Sequence, residues 1–99
     1  LIGSAELRIE DHKAEIGYLI ARWLWGQGYA SEAARALVDW AFAQEEIIRV
    51  WATCDAENLA SARVLEKAGL AFEGRIQRWL RRPGKNGAAR DVLFYAKVK

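Results

Sequence analysis

The sequence predicts an α/β (α+β) domain with a mixed sheet and the element order ββαβαββ. Three observations predict it. The chain opens with two strand-like runs, the first alternating apolar with polar residues, separated only by Asp11-His12. An Ala-rich amphipathic segment then lies between two apolar, strand-like runs. A second, shorter helix carries a stop signal at Gly69 and leads into two more strand-like runs. Alternation with period 2 marks half-buried strands, and the i, i+4, i+7, i+8 pattern marks a helix with one buried face.

In the first run, strand-like from Ser4 to Glu10, Ala5, Leu7 and Ile9 alternate with Glu6, Arg8 and Glu10. The second, Lys13 to Ala21, puts Ala14, Ile16, Tyr18 and Ile20 on one face and Glu15, Gly17 and Leu19 on the other. So short a polar connection predicts an antiparallel hairpin. Ser31 to Gln44 reads as a helix, with Ala33, Leu37, Trp40 and Ala41 on its apolar face and Ala34 and Val38 beside them. Ile47 to Thr53 reads as a buried strand. Strand, helix and strand in succession form a parallel βαβ unit.

Asp55 to Asn58 is a turn, and Asn58 is a natural cap for a helix over Leu59 to Lys67. Its apolar contacts are Ala62, Leu65 and Ala68, or Leu59, Ala62 and Val64. Gly69 fits the left-handed position after a helix. Ala71 to Leu80 is a strand on which Phe72, Ile76 and Leu80 share a face with Gly74 and Arg78. Arg81 to Ala88 is a polar hairpin loop with the one proline, and Arg90 to Lys99 is the last strand. There, Val92, Phe94, Ala96 and Val98 alternate against Asp91, Leu93, Tyr95 and Lys97. The five tryptophans read mostly as core, with Trp79 a candidate to face an acceptor site. The outer edge of the first hairpin has no partner. Either chain preceding Leu1 or a second copy in a homodimer would cover it.

Composition narrows the function classes. An apolar fraction of 53% and 28% charged residues fit one folded domain over 1–99. No apolar run reaches the ~20 residues of a membrane span, so no membrane partner is expected. A single cysteine, Cys54, precludes an intrachain disulfide and fits a cytoplasmic location. One His and one Cys make a poor metal set, so no metal is expected. Residues 1–62 hold 5 basic and 10 acidic side chains, whereas residues 63–99 hold 10 and 3. That asymmetry suits a cationic substrate on one side and an anionic ligand on the other, or simply solvated faces. Nucleic acid is not expected as a partner, because the basic half has no aromatic platform motif.

Between the second strand and the first helix stands Trp25-Gly26-Gln27-Gly28-Tyr29-Ala30. Two glycines one residue apart let backbone approach a ligand. The helix N-terminus behind them offers unpaired N–H groups and a positive dipole end, a site for phosphate. Alone, the pair is equally what an ordinary turn contains. The segment Asn58-Leu59-Ala60-Ser61-Ala62-Arg63-Val64-Leu65-Glu66-Lys67-Ala68-Gly69-Leu70, followed by Phe72-Glu73-Gly74, lies about 30 residues on. With the glycine turn, Glu15-Ile16-Gly17-Tyr18 before it and Ser31-Glu32-Ala33 after it, the chain resembles the GNAT N-acetyltransferases. The nearest branch is the one that acetylates ribosomal-protein N-termini.

The resemblance covers the whole chain. It implies an amino-terminal strand and one or two helices that this chain lacks, so the domain reads as truncated at its N-terminus. It also implies acetyl-CoA as donor and a primary amine as acceptor, a protein N-terminus or a small molecule, with direct transfer. The backbone of Gly26, Gln27, Gly28, Tyr29, Ala30 and Ser31 would hold the pyrophosphate. The strands flanking the first helix would splay, and pantetheine would lie between Tyr18, Leu19 and Ile20 on one and Thr53 and Cys54 on the other. Asn58 would hydrogen-bond the cofactor. Two positions depart from the family pattern. Trp23 stands where Gln or Arg is common, with Arg22 beside it, which moves phosphate binding onto backbone amides. Leu65 stands where many members carry a proton-donating Tyr, and Ser61 is the substitute used in the ribosomal branch.

Transfer needs a base for the amine and an acid for the departing thiolate. Glu15 is the candidate base, directly or through water, and Ser61 the candidate acid. Each also has an ordinary reading: a surface carboxylate on a hairpin, and a helix-start Ser bonding backbone. Cys54 reads as packing and His12 as a turn residue. Arg63 and Lys67 would meet the adenosine 3′-phosphate or simply face solvent. The alternative to an enzyme is a catalytically weak CoA-binding or dimeric interaction module.

Overall fold

The computed structural model describes residues 3–20, 29–81 and 89–99. The strands are β1 (Gly3–Glu10), β2 (Lys13–Ile20), β3 (Arg49–Asp55), β4 (Ala71–Arg81) and β5 (Ala89–Val98). The helices are α1 (Tyr29–Ala43) and α2 (Leu59–Lys67). The strands form one sheet in the order β1-β2-β3-β5-β4. β2 and β3 are parallel and all other neighbouring pairs antiparallel, which is the mixed sheet expected.

The β1–β2 hairpin closes from Glu10↔Lys13 out to Gly3↔Ile20. Its turn puts Asp11 at φ 58°, a left-handed conformation that Asp tolerates better than most side chains. The His12 carbonyl accepts the N–H groups of Ile48 at 3.0 Å and Arg49 at 3.3 Å, which ties this turn to the start of β3. His12 is thus a turn residue, as expected.

Both helices cover one face of the sheet. Ala34, Val38 and Ala41 of α1 and Ala62, Leu65 and Ala68 around α2 share a buried cluster with Ala14, Ile16, Val50, Ala52, Cys54 and Tyr95. Small residues on both sides let the helices lie close to the sheet. α2 uses the first of its two expected apolar sets, and Leu59 is 68% exposed. On α1 the buried stripe is turned away from Trp40, which is 54% exposed. Trp79 is likewise exposed and Trp51 half-buried. The expectation that the tryptophans are mostly core therefore fails for Trp40 and Trp51, whereas Trp79 is exposed as a residue facing an acceptor would be; Trp23 and Trp25 lie outside the described residues. Helix packing on an Ala-lined sheet leaves no room for indoles, so they sit elsewhere.

On β5 the helix-facing set is Leu93 and Tyr95, not the Val92–Phe94 set, and the choice has a polar reason. The Tyr95 hydroxyl donates to Glu66 Oε2 of α2 at 3.1 Å, so a buried phenol is satisfied. β4 is less regular than its alternation suggests. Register shifts fall between Phe72 and Gly74 and between Ile76 and Leu80. Arg78 adopts φ 50°, and its N–H donates to Asp91 Oδ1 at 2.9 Å. Asp91 Oδ2 accepts from Arg75 Nη2 at 2.9 Å and so holds the irregular stretch in place. The single face expected for Phe72, Ile76 and Leu80 is interrupted by these bulges.

A candidate acetyl-CoA wedge

The site is built by the place where the sheet stops being a sheet. β2 and β3 pair at Lys13↔Arg49, Ala14↔Val50 and Glu15↔Trp51, and there the ladder ends. Both strands continue, β2 to Ile20 and β3 to Asp55. Beyond Glu15 and Trp51 the inner edges of residues 16–20 and 52–55 have no strand between them. The ladder's end is the splay that the resemblance implies. Backbone N–H and C=O groups along such edges require partners. An extended amide-bearing chain such as pantetheine has the chemistry to supply them.

β3 turns into α2 through a braced corner. Asp55, buried at the strand's end, accepts the Glu57 N–H on Oδ1 at 2.9 Å and pairs with Arg90 Nε at 3.3 Å. Arg90 also pairs with Glu57. The Asn58 N–H bonds the Asp55 carbonyl at 2.9 Å. Asn58 is the N-cap of α2, its Oδ1 accepting the Ser61 N–H at 3.1 Å. Its Nδ2 makes no hydrogen bond to a described residue, so its donors remain for a ligand. The far end of α2 closes as the glycine signal predicts. Gly69 has φ 100°, its N–H bonds the Glu66 carbonyl, and the Leu70 N–H bonds the Leu65 carbonyl.

The predicted site residues that are described lie on the elements that flank the ladder's end. Tyr18, Leu19 and Ile20 are the splayed end of β2. Tyr29, Ala30 and Ser31 form the first turn of α1. Asn58 and Ser61 open α2. Gly26, Gln27 and Gly28 lie outside the described residues, as do Arg22 and Trp23. Glu15 stands at the last paired position before the splay, on the face turned from the helices. It forms a cross-strand ion pair with Arg8, Nη1 to Oε1 at 3.7 Å. Cys54 is buried on the helix side, and burial, then Asp55 and Glu66, push its thiol above the ordinary range. That favours the packing role over a nucleophilic one. Burial and the Glu66 bond likewise raise the Tyr95 phenol.

Two features escape the sequence reading. The Asp55–Arg90 brace joins residues far apart in the chain; the only local signal is an Asp at the head of a turn. On the helix-free face, Trp51 stacks parallel on Phe94 with centroids 5.5 Å apart, and Trp79 meets Phe94 edge-on at 5.5 Å. Among the described residues no cluster of three or more His, Cys, Asp or Glu is placed to hold a metal, and no helix is long and apolar enough to cross a membrane.

Comparison with known proteins agrees with this geometry. Residues 1–71 match the Acetyltransferase (GNAT) domain family. The chain is 41% identical over 86 residues to the uncharacterized N-acetyltransferase YnaD of Bacillus subtilis, covering 87% of this chain and 49% of YnaD. A GNAT-family acetyltransferase from Bacillus anthracis superposes with a TM-score of 0.86 at 32% identity, covering 99% of this chain and 58% of that one. RimL, a ribosomal L7/L12 α-N-protein acetyltransferase solved with coenzyme A, superposes at 0.79 and 29% identity, covering 91% and 50%. The chain spans about half the length of these proteins. With the splayed strands, the capped second helix and the family match in agreement, the chain belongs to the GNAT acetyltransferase family.

Proposed function

We propose that the chain carries the cofactor-binding part of an N-acetyltransferase that moves an acetyl group from acetyl-CoA directly to a primary amine. The observation that carries this reading is the wedge, two parallel strands that part after Glu15 and Trp51 at the mouth of two helix N-termini. Acetyl-CoA supplies an activated acyl thioester. The backbone of Tyr18, Leu19 and Ile20 would pair with its pantetheine, and the amides of Gly26, Gln27, Gly28, Tyr29, Ala30 and Ser31 would hold its pyrophosphate. Asn58 Nδ2 would donate to the same ligand. Glu15 accepts the amine proton, directly or through water, and Ser61 returns a proton to the departing sulfur. A protein N-terminus is an acceptor of the kind RimL uses, and a small-molecule amine suits the same chemistry. Cytoplasmic location and a homodimer through the β1 edge belong to the same proposal.

A second reading is a CoA-binding module without transfer. It is favoured by the structural partners that Glu15 and Ser61 already have, Arg8 for the one and the Asn58 cap for the other. Calorimetry with CoA and a free-thiol assay over an amine panel separate the two. The transferase reading expects binding and thiol release that depends on amine; binding alone over every amine supports the module. Gly28→Val should lower CoA affinity by at least about a hundredfold, since a Cβ blocks close backbone approach. Unchanged affinity removes the glycine turn from the site.

A further inference from the structure

The acceptor side of the wedge has a chemical character of its own. On the helix side the sheet beside the wedge is closed: Ala14, Ile16, Ala52 and Cys54 are buried beneath α1 and α2. An acceptor therefore reaches the wedge from the opposite face. Paired residues of neighbouring strands point the same way, so the register Glu15↔Trp51, Trp51↔Ala96 and Thr53↔Phe94 sets Glu15, Trp51, Thr53 and Phe94 on that face. Trp79 joins them through its edge contact with Phe94 and is 57% exposed. The surface leading away from Glu15 is thus a run of three aromatic rings. Arg49, on the same face of β3, is neutralised by two bonds to Glu73. Glu15 stands at the last pair before the splay, and its partner Arg8 is largely exposed at 3.7 Å, a pairing weak enough for an ammonium to displace.

Resting on the transferase reading, we infer that the acceptor is a monoamine carried on an aromatic or bulky apolar body. Its ammonium would sit by Glu15 and its body on Trp51, Phe94 and Trp79. Indole and phenyl faces attract both apolar groups and the nearby cation. The described carboxylates of this face are Glu10 at the hairpin turn, Glu15, the Arg90-bound Asp55 and the Arg49-bound Glu73, and the surface that leads from Glu15 across β3 and β5 is made by the rings, not by these carboxylates.

The test is acetyl transfer by the 99-residue chain to 2-phenylethylamine, n-butylamine and spermidine, read as free thiol. The expected result is a kcat/KM for 2-phenylethylamine about tenfold above either other amine. Trp79→Ala should remove most of that preference through KM, leaving kcat and the butylamine reaction within about twofold, and Trp79→Phe should restore it. Circular dichroism of each variant confirms the fold, and the wild-type amine ranking stands as evidence whether or not Trp79→Ala folds. Equal rates for the three amines, preference for spermidine, or a folded Trp79→Ala that keeps the preference would each overturn the inference and leave the transferase reading intact. No transfer to any amine overturns both.

Discussion

The two faces of the sheet solve opposite problems. The helix-covered face is lined with alanines and small apolar residues, and the polar groups that enter it arrive with partners, as Tyr95 does with Glu66. The helix-free face carries the large rings, half-exposed and bordered by the ion pairs Arg8–Glu15 and Arg49–Glu73. Close packing serves stability. Exposed aromatic surface beside a carboxylate serves recognition. Substitutions should therefore sort by face, with stability moving on one and acceptor preference on the other.

The largest expected effect lies on the covered face. Leu65 is fully buried between α2 and the sheet, and Leu65→Ala should cost about 2–5 kcal/mol of unfolding free energy in denaturant titration. A cost as small as that of an exposed site would mean that α2 does not seal the sheet as described.

Asn58 sharpens the comparison, because its two side-chain ends serve the two purposes. Asn58→Ala should cost about 1 kcal/mol through loss of the cap. Asn58→Asp keeps the acceptor oxygen and removes the amide donor. It should leave stability close to wild type while weakening CoA binding in calorimetry. Equal CoA affinity in Asn58→Asp would assign Asn58 to capping alone.

The smallest effect belongs to the rim. The Arg78 N–H and then Arg75 hold the Asp91 carboxyl below its ordinary range, and the bond from Arg49 does the same for Glu73. A carboxylate whose pKa is depressed on folding contributes stability present above its unfolded pKa. That contribution is lost as pH falls through the folded value. Thermal melts from neutral pH into the acid range should show a gentle fall below the ordinary carboxylate range, and Asp91→Asn should flatten it. An unchanged slope in Asp91→Asn would place the acid sensitivity elsewhere.

The local signals were the readable ones. The Asn58 cap, the Gly69 stop, the Asp11-His12 turn and the element order follow from short-range chemistry, and each is present. Readings that needed a third dimension fared worse. Nothing in the alternation of residues 71–80 distinguishes a regular strand from one with Glu73 bulged out and Arg78 left-handed, because Asp91 of another strand holds that shape. Trp40 lies off the buried face of α1 because a helical stripe allows a small rotation, and the Ala-lined sheet selects the smaller residues Ala34, Val38 and Ala41. The splay was legible through family resemblance alone. Composition cannot say where a ladder of hydrogen bonds ends.

That ladder is also a mechanical joint. The β1–β2 hairpin is zipped along its own length by eight residue pairs but joins the rest of the sheet through three. Otherwise it is held by the packing of α1 and the bonds from Ile48 and Arg49 to His12. The hairpin should therefore be the unit that separates first when the sheet opens. Its amides beyond Glu15 should exchange with solvent hydrogen faster than those of β3 and β5. A ligand lying in the wedge would act as a splice between the two pieces and bring their exchange rates together, so that occupancy is written in the cohesion of the sheet itself.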